Sequence, residues 1–152
     1  MQADDTVVAT EARKHVINIV VEVDGKNRHV QFDSSPVTGR AIRDLVSIYG
    51  DGVRTAREGA RTFVRLPEVE MPPGCRPQTT PMLLAFDPDQ PKPLAFIQPG
   101  QLLANGREPR STSTQMVGGE SWMHFSLNIP WAEGQNIMRF VAASRQRFAQ
   151  NE

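Results

Sequence analysis

Proline placement constrains this 152-residue chain more than any other feature. Most of its twelve prolines fall between Pro67 and Pro99. Proline fixes φ and has no backbone N–H to donate, so a long helix is excluded there. What remains is a set of short extended pieces, 62–66 with 69–71, 82–86 and 94–97, with the prolines expected at strand ends and edges. Hairpin-joined pieces of this kind predict an antiparallel meander of about four strands.

The residues ahead of the proline-rich stretch follow a different pattern. Ile17, Ile19, Val21 and Val23 alternate with Asn18, Val20 and Glu22, then Asp24-Gly25 is followed by 28–32. Period-two alternation around an Asp-Gly step predicts a β-hairpin. Thr38 suits a helix cap, and Ile42, Leu45, Val46 and Tyr49 form one stripe before Gly50, which predicts an amphipathic helix. Residues 51–61 mix glycine and charge and carry little core, as a connection or exposed edge would. The expected organisation is a disordered tail (1–14), an N-terminal hairpin and helix (15–60) and a second domain (61–152). In that second domain, residues 104–119 predict a long polar loop and candidate contact surface. Trp122 to Leu127 alternate as a strand. A final helix over about 135–150 places Ile137, Phe140, Val141 and Phe148 opposite Arg139, Arg145 and Arg147. The fold class is α+β.

Composition removes several function classes. Seventeen basic and seventeen acidic residues give zero formal charge, so there is no overall field to draw the chain to nucleic acid. No apolar run approaches the roughly 20 residues that span a bilayer, and the N-terminus lacks the basic and apolar regions of a secretory signal. A soluble, cytoplasmic protein is expected, without membrane or nucleic-acid partners. One cysteine, Cys75, excludes an internal disulfide, and three scattered histidines give no zinc-ligand spacing. Neither metal nor cofactor is expected.

The ordered marks from about 62 to 148 carry a resemblance. They are Met71-Pro72-Pro73-Gly74, Met82-Leu83-Leu84-Ala85-Phe86, Pro93-Leu94-Ala95-Phe96 with Gly100, Gly106-Arg107-Glu108-Pro109, Trp122 with Phe125-Ser126, and Pro130-Trp131 with Gly134. In this order they resemble the divergent prokaryotic branch of the ubiquitin-conjugating-enzyme-like (UBC-like) superfamily. The resemblance implies an antiparallel β-meander with flanking helices and a place in a bacterial conjugation or antiviral pathway. It also implies three partners: a ubiquitin-like protein, an adenylating activating enzyme and a JAMM-type protease. The N-terminal hairpin, with Thr38-Gly39-Arg40-Ala41-Ile42 opening its helix, is similar to the start of a bacterial multi-ubiquitin β-grasp module. Residues 51–61 are too few and too polar to complete one.

The family places its nucleophilic cysteine in the loop after the third or fourth strand, but here 98–114 holds no thiol. Ser111, Thr112, Ser113 and Thr114 offer hydroxyls, which need an adjacent base to become nucleophilic. Cys75 lies one strand earlier, after a Pro-Pro-Gly turn. There it is a candidate catalytic residue if exposed, with Arg76 favouring the thiolate, or else an inert packed side chain. Trp122, Trp131 and Arg139 are candidate partner-binding residues; the apolar neighbours of the two tryptophans favour core packing. His124 has no placed partner and receives no role. The leading expectation is a catalytically silent UBC-like protein that binds a modifier or its activating enzyme. The alternatives are an active conjugating enzyme using Cys75, and a β-grasp modifier fused to an interaction domain.

Overall fold

The computed structural model describes residues 6–7, 15–23, 26–34, 36–131 and 135–149. The chain divides into two compact units, 1–53 and 54–152.

The first unit is a three-stranded antiparallel sheet and one helix. Strands β2 (His15–Val23) and β3 (Lys26–Ser34) pair along their whole length, from His15 opposite Ser34 to Val23 opposite Lys26. The alternation along 16–23 is thus realised as a hairpin; the Asp24-Gly25 step lies outside the described residues. A two-residue strand, β1 (Thr6–Val7), pairs with β2, so the expected disordered tail contains at least one paired segment. Helix α1 (Pro36–Tyr49) begins two residues before the expected cap, with proline in its first turn, where no intrahelical N–H is required. Ile42 and Leu45 of the predicted stripe are buried while Val46 and Tyr49 are half-buried, and Ala41 is buried beside them.

The second unit is a six-stranded antiparallel sheet, ordered β4-β5-β6-β7-β9-β8, with a C-terminal helix. Its strands are β4 (Arg54–Glu58), β5 (Arg61–Glu70), β6 (Thr79–Phe86), β7 (Leu94–Ile97), β8 (Thr112–Val117) and β9 (Glu120–Phe125). Six strands replace the four expected. The extra pair come from 54–58, read as a connection or exposed edge and realised as the edge strand β4, and from the last part of the 104–119 segment, read as a loop, which forms the opposite edge, β8. Prolines fall where the ladder tolerates them. Leu66 faces Met82 while Val69 faces Thr80, so β5 carries one extra residue and Pro67 sits in the resulting bulge. Pro81 precedes the first β6–β7 pair, Met82 with Ile97.

Register assigns side chains to faces. Phe63, Leu83, Ala85, Phe96 and Trp122 share one face and form a buried cluster. Arg61 binds Asp87 through two 2.8 Å hydrogen bonds beside this cluster, and the Arg65 guanidinium lies 5.7 Å from the Trp122 ring. The opposite face presents Val64, Leu66, Met82, Leu84, Ile97 and Phe125, all buried. Helix α2 (Ile137–Gln146) and the 3-10 turn Arg147–Ala149 meet this second face, where the Phe125 and Phe148 rings make an edge contact at 5.0 Å. Asn136 caps α2 by accepting a 2.8 Å hydrogen bond from the Met138 N–H. Ile137, Phe140, Val141 and Phe148 are buried as the periodicity predicts; each large apolar side chain so buried stabilises the fold by about 1.5–3 kcal/mol. The fold is mixed α+β, and no helix among the described residues is long and apolar enough to cross a membrane.

Candidate functional site

Two loops and the end of the C-terminal helix converge around the only cysteine. After β5 the chain makes a compact turn in which the Met71 N–H donates to the Gln78 carbonyl at 2.8 Å and the Cys75 N–H to the Pro72 carbonyl at 3.2 Å. The Gln78 amide donates to the Met71 and Pro72 carbonyls, bridging the two ends of the turn. The loop after β7 lies against it. The Leu102 N–H donates to the Arg76 carbonyl at 2.9 Å, and Gln101 Nε2 donates to the Pro77 carbonyl at 3.0 Å. Gly74 makes this approach possible: its φ is +93°, and a Cβ there would lie 2.6 Å from the Ala104 carbonyl oxygen. The third wall is Phe148, whose carbonyl accepts from the Ala104 N–H at 2.9 Å and from Cys75 Sγ at 3.5 Å.

Cys75 is 2% exposed in this arrangement. Burial pushes its thiol up from the ordinary range, since a thiolate would lose hydration without a paired cation. The exposure that a Pro-Pro-Gly turn suggested is absent, because loop 98–110 and Phe148 cover the side chain. Arg76 itself is exposed, and burial is the cause that sets the direction of the shift. Gln101 is also buried, and its Oε1 accepts no hydrogen bond among the described residues.

The hydroxyl run is placed in the opposite way. Ser111 and the β8 residues Thr112, Ser113 and Thr114 are all exposed. Pairing in register sets Ser113 directly opposite His124 on β9, a cross-strand neighbour that linear sequence spacing conceals. No hydrogen bond joins the two; the imidazole instead lies against Phe96, ring centroids 5.4 Å apart. Burial, with a smaller push from Arg61, lowers the His124 pKa, so the ring is neutral at neutral pH.

The sheet separates the predicted partner-binding residues. Trp122 is 1% exposed in the cluster with Phe63 and Phe96, on the face away from α2. Trp131 is half-buried and meets Phe140 of α2 edge-on at 5.4 Å, and Arg139 is exposed on that helix. Trp122 is therefore a core residue, while Trp131 and Arg139 belong to the helix side.

Two depressions flank the 126–128 segment between β9 and α2. One, of about 340 Å³, is lined by Lys92, His124, Ser126 and Phe140 among others. The Lys92 ammonium donates to the Leu127 carbonyl at its rim. The other, of about 370 Å³, has Ser111, Ser126, Asn128, Gln146 and Arg147 as its polar lining, with no acidic residue among the described lining residues. The Arg147 guanidinium donates to the Arg110 carbonyl at 2.7 Å, which holds the chain just before Ser111. Ser111 has φ +56°, the one described non-glycine residue in the left-handed region. No group of three or more His, Cys, Asp or Glu side chains fit to hold a metal occurs among the described residues. No family model, curated protein or solved structure matches this chain.

Proposed function

We propose that the chain is a UBC-like protein that does not carry a modifier on a thiol, and that it acts by binding a ubiquitin-like protein or its adenylating activating enzyme in a bacterial conjugation pathway. The observation that carries this reading is the environment of Cys75. The only thiol in the chain is enclosed by two loops and Phe148, and its pKa is raised. A thioester carrier needs an accessible thiolate. The antiparallel meander backed by a C-terminal helix on one face agrees with the UBC-like reading, whose ordered sequence marks run from Met71, just after β5, to the Pro130-Trp131 step before α2.

Binding partners of this class would meet the unit on its accessible elements. These are the exposed face of α2 with Arg139, the half-buried Trp131 and the polar strand β8. The test is incubation with an adenylating enzyme, its ubiquitin-like modifier and ATP, resolved on a non-reducing gel beside Cys75→Ala. The expected result is a modifier charged onto the activating enzyme and no adduct on this chain, with the chain co-eluting with one of the two. A thiol-sensitive adduct that vanishes in Cys75→Ala would instead make it an active conjugating enzyme.

A further inference from the structure

We infer that strand β8 is a dimerisation edge, to which a second copy of this chain adds its own β8, antiparallel, across a two-fold axis through Thr114. The inference is independent of the conjugation reading, because the strand itself defines the partner.

The two edges of the six-stranded sheet are protected differently. Edge strand β4 carries Arg54, Arg57 and Glu58, charged residues of the kind that discourage strand addition. Edge strand β8, Thr112-Ser-Thr-Gln-Met-Val117, has neither charge nor proline. It has no bulge either, since it pairs without a break to β9 on its inner side, from Thr112 opposite Phe125 to Val117 opposite Glu120. Among the described residues no strand pairs with its outer side. Its side chains from Thr112 to Met116 are exposed, Met116 to 64%.

Register fixes which backbone groups face outward. Val117 and Glu120 flank the two-residue turn Gly118-Gly119, a position at which the opposed residues exchange both of their hydrogen bonds. Alternating back along the strand, Gln115 and Ser113 also bond inward to β9, while the N–H and C=O groups of Met116, Thr114 and Thr112 point outward. Two copies pairing antiparallel must oppose outward residue to outward residue. The register that uses all of them sets Thr114 opposite its own counterpart, and Thr112 opposite the counterpart of Met116 in both directions. Each such pair exchanges two hydrogen bonds.

Charge and side-chain chemistry make a second copy the occupant. Self-pairing brings no like charges together, because β8 has none, and the chain as a whole carries zero formal charge to hold two copies apart. On the axis it forms a Thr–Thr cross-strand pair, and it lays the exposed Met116 side chain beside the β-branched Thr112 of the other copy. The charged residues of β4 also close the assembly. Only one edge of each copy is open, so a two-fold pair satisfies it and growth stops at the dimer. A protein partner that added to β8 would compete with the second copy.

The experiment is sedimentation velocity on the whole chain from about 10 μM to about 1 mM, a span suited to an interface smaller than the roughly 800 Å² per partner of stable complexes. The expected result is a monomer–dimer equilibrium with no larger species. Thr114 is exposed, so Thr114→Lys should leave the fold in place while setting two lysines opposite each other, and dimerisation should weaken roughly five-fold or more. Thr114→Glu should weaken it likewise. Mixing the two variants should restore a dimer, because lysine then faces glutamate, the response expected of a residue on the axis. On the unaltered chain, amide exchange at Thr112, Thr114 and Met116 should slow as concentration rises, with Ser113, Gln115 and Val117 slow throughout. A chain that stays monomeric to about 1 mM, a dimer indifferent to Thr114→Lys, a mixture that fails to re-associate, or growth beyond the dimer would each overturn the proposal.

Discussion

Two parts of the second unit carry the side chains that could act as nucleophiles, and the fold treats them in opposite ways. The thiol of Cys75 is the intrinsically reactive group, and it is enclosed between two loops and the Phe148 carbonyl, its pKa raised by burial. The hydroxyls of Ser111 to Thr114 are accessible but intrinsically weak, and the imidazole set opposite Ser113, that of His124, is packed on Phe96 without bonding Ser113. Covalent carriage needs reactivity and access in one group. Here they are divided, which is why we propose binding rather than acyl transfer.

The strongest way to break the contrast is to open the enclosure. The Phe148 ring is fully buried against Phe125 and so anchors the backbone carbonyl that meets the thiol, and Phe148→Ala should destabilise the unit by about 3–5 kcal/mol. It should also speed alkylation of Cys75 in the folded chain, as denaturant melts and thiol labelling would show. Gly74→Ala acts at the same place by clash. With φ +93° and the Ala104 carbonyl at 2.6 Å from the new Cβ, a loss of roughly 1–3 kcal/mol is expected, with the two loops displaced. A midpoint equal to that of the unaltered protein would contradict the close approach.

The pH dependence sharpens the comparison from both sides. Because the folded thiol pKa is raised, the folded chain holds a proton that the unfolded chain releases above about pH 8.5. Stability should be flat below that and fall as pH rises through the folded value; Cys75→Ala should remove the slope. His124 shifts the opposite way, again chiefly through burial. Its folded pKa is lowered, so below about pH 6.5 the unfolded chain takes up a proton that the folded ring resists. Stability should fall with acidification there, and His124→Gln should flatten that contribution in urea melts taken across the range. The smallest effect concerns the accessible side: Ser111→Gly relieves the left-handed backbone and should stabilise the unit by up to about 1 kcal/mol.

The sequence was most legible where burial imposes a period. The alternation along 16–23 became β2, the stripe Ile42 and Leu45 became the buried side of α1, and Ile137, Phe140, Val141 and Phe148 became the packed side of the C-terminal helical segment. Strand β8 was missed because none of its residues is fully buried, so its polar letters carry no burial signal. A local cue was present. Val117 pairs with Glu120 across Gly118-Gly119, both at positive φ (59° and 80°), the two-residue turn that diglycine favours between strands. The environment of Cys75 was less legible. Its cover comes from residues 27 to 73 positions later, near Leu102 and at Phe148, and no local pattern around a Pro-Pro-Gly turn encodes that. For the same reason the Ser113–His124 pairing emerges only from register.

The most direct test of the central claim is the alkylation rate of Cys75 in the native chain at neutral pH, set against the same chain in denaturant. The account predicts labelling slower by roughly 10²–10⁴-fold in the folded state, the delay expected when reaction waits for an opening costing a few kcal/mol. Labelling of the folded chain as fast as the unfolded one would place a reactive thiol at the surface and contradict the reading of a protein that binds without carrying.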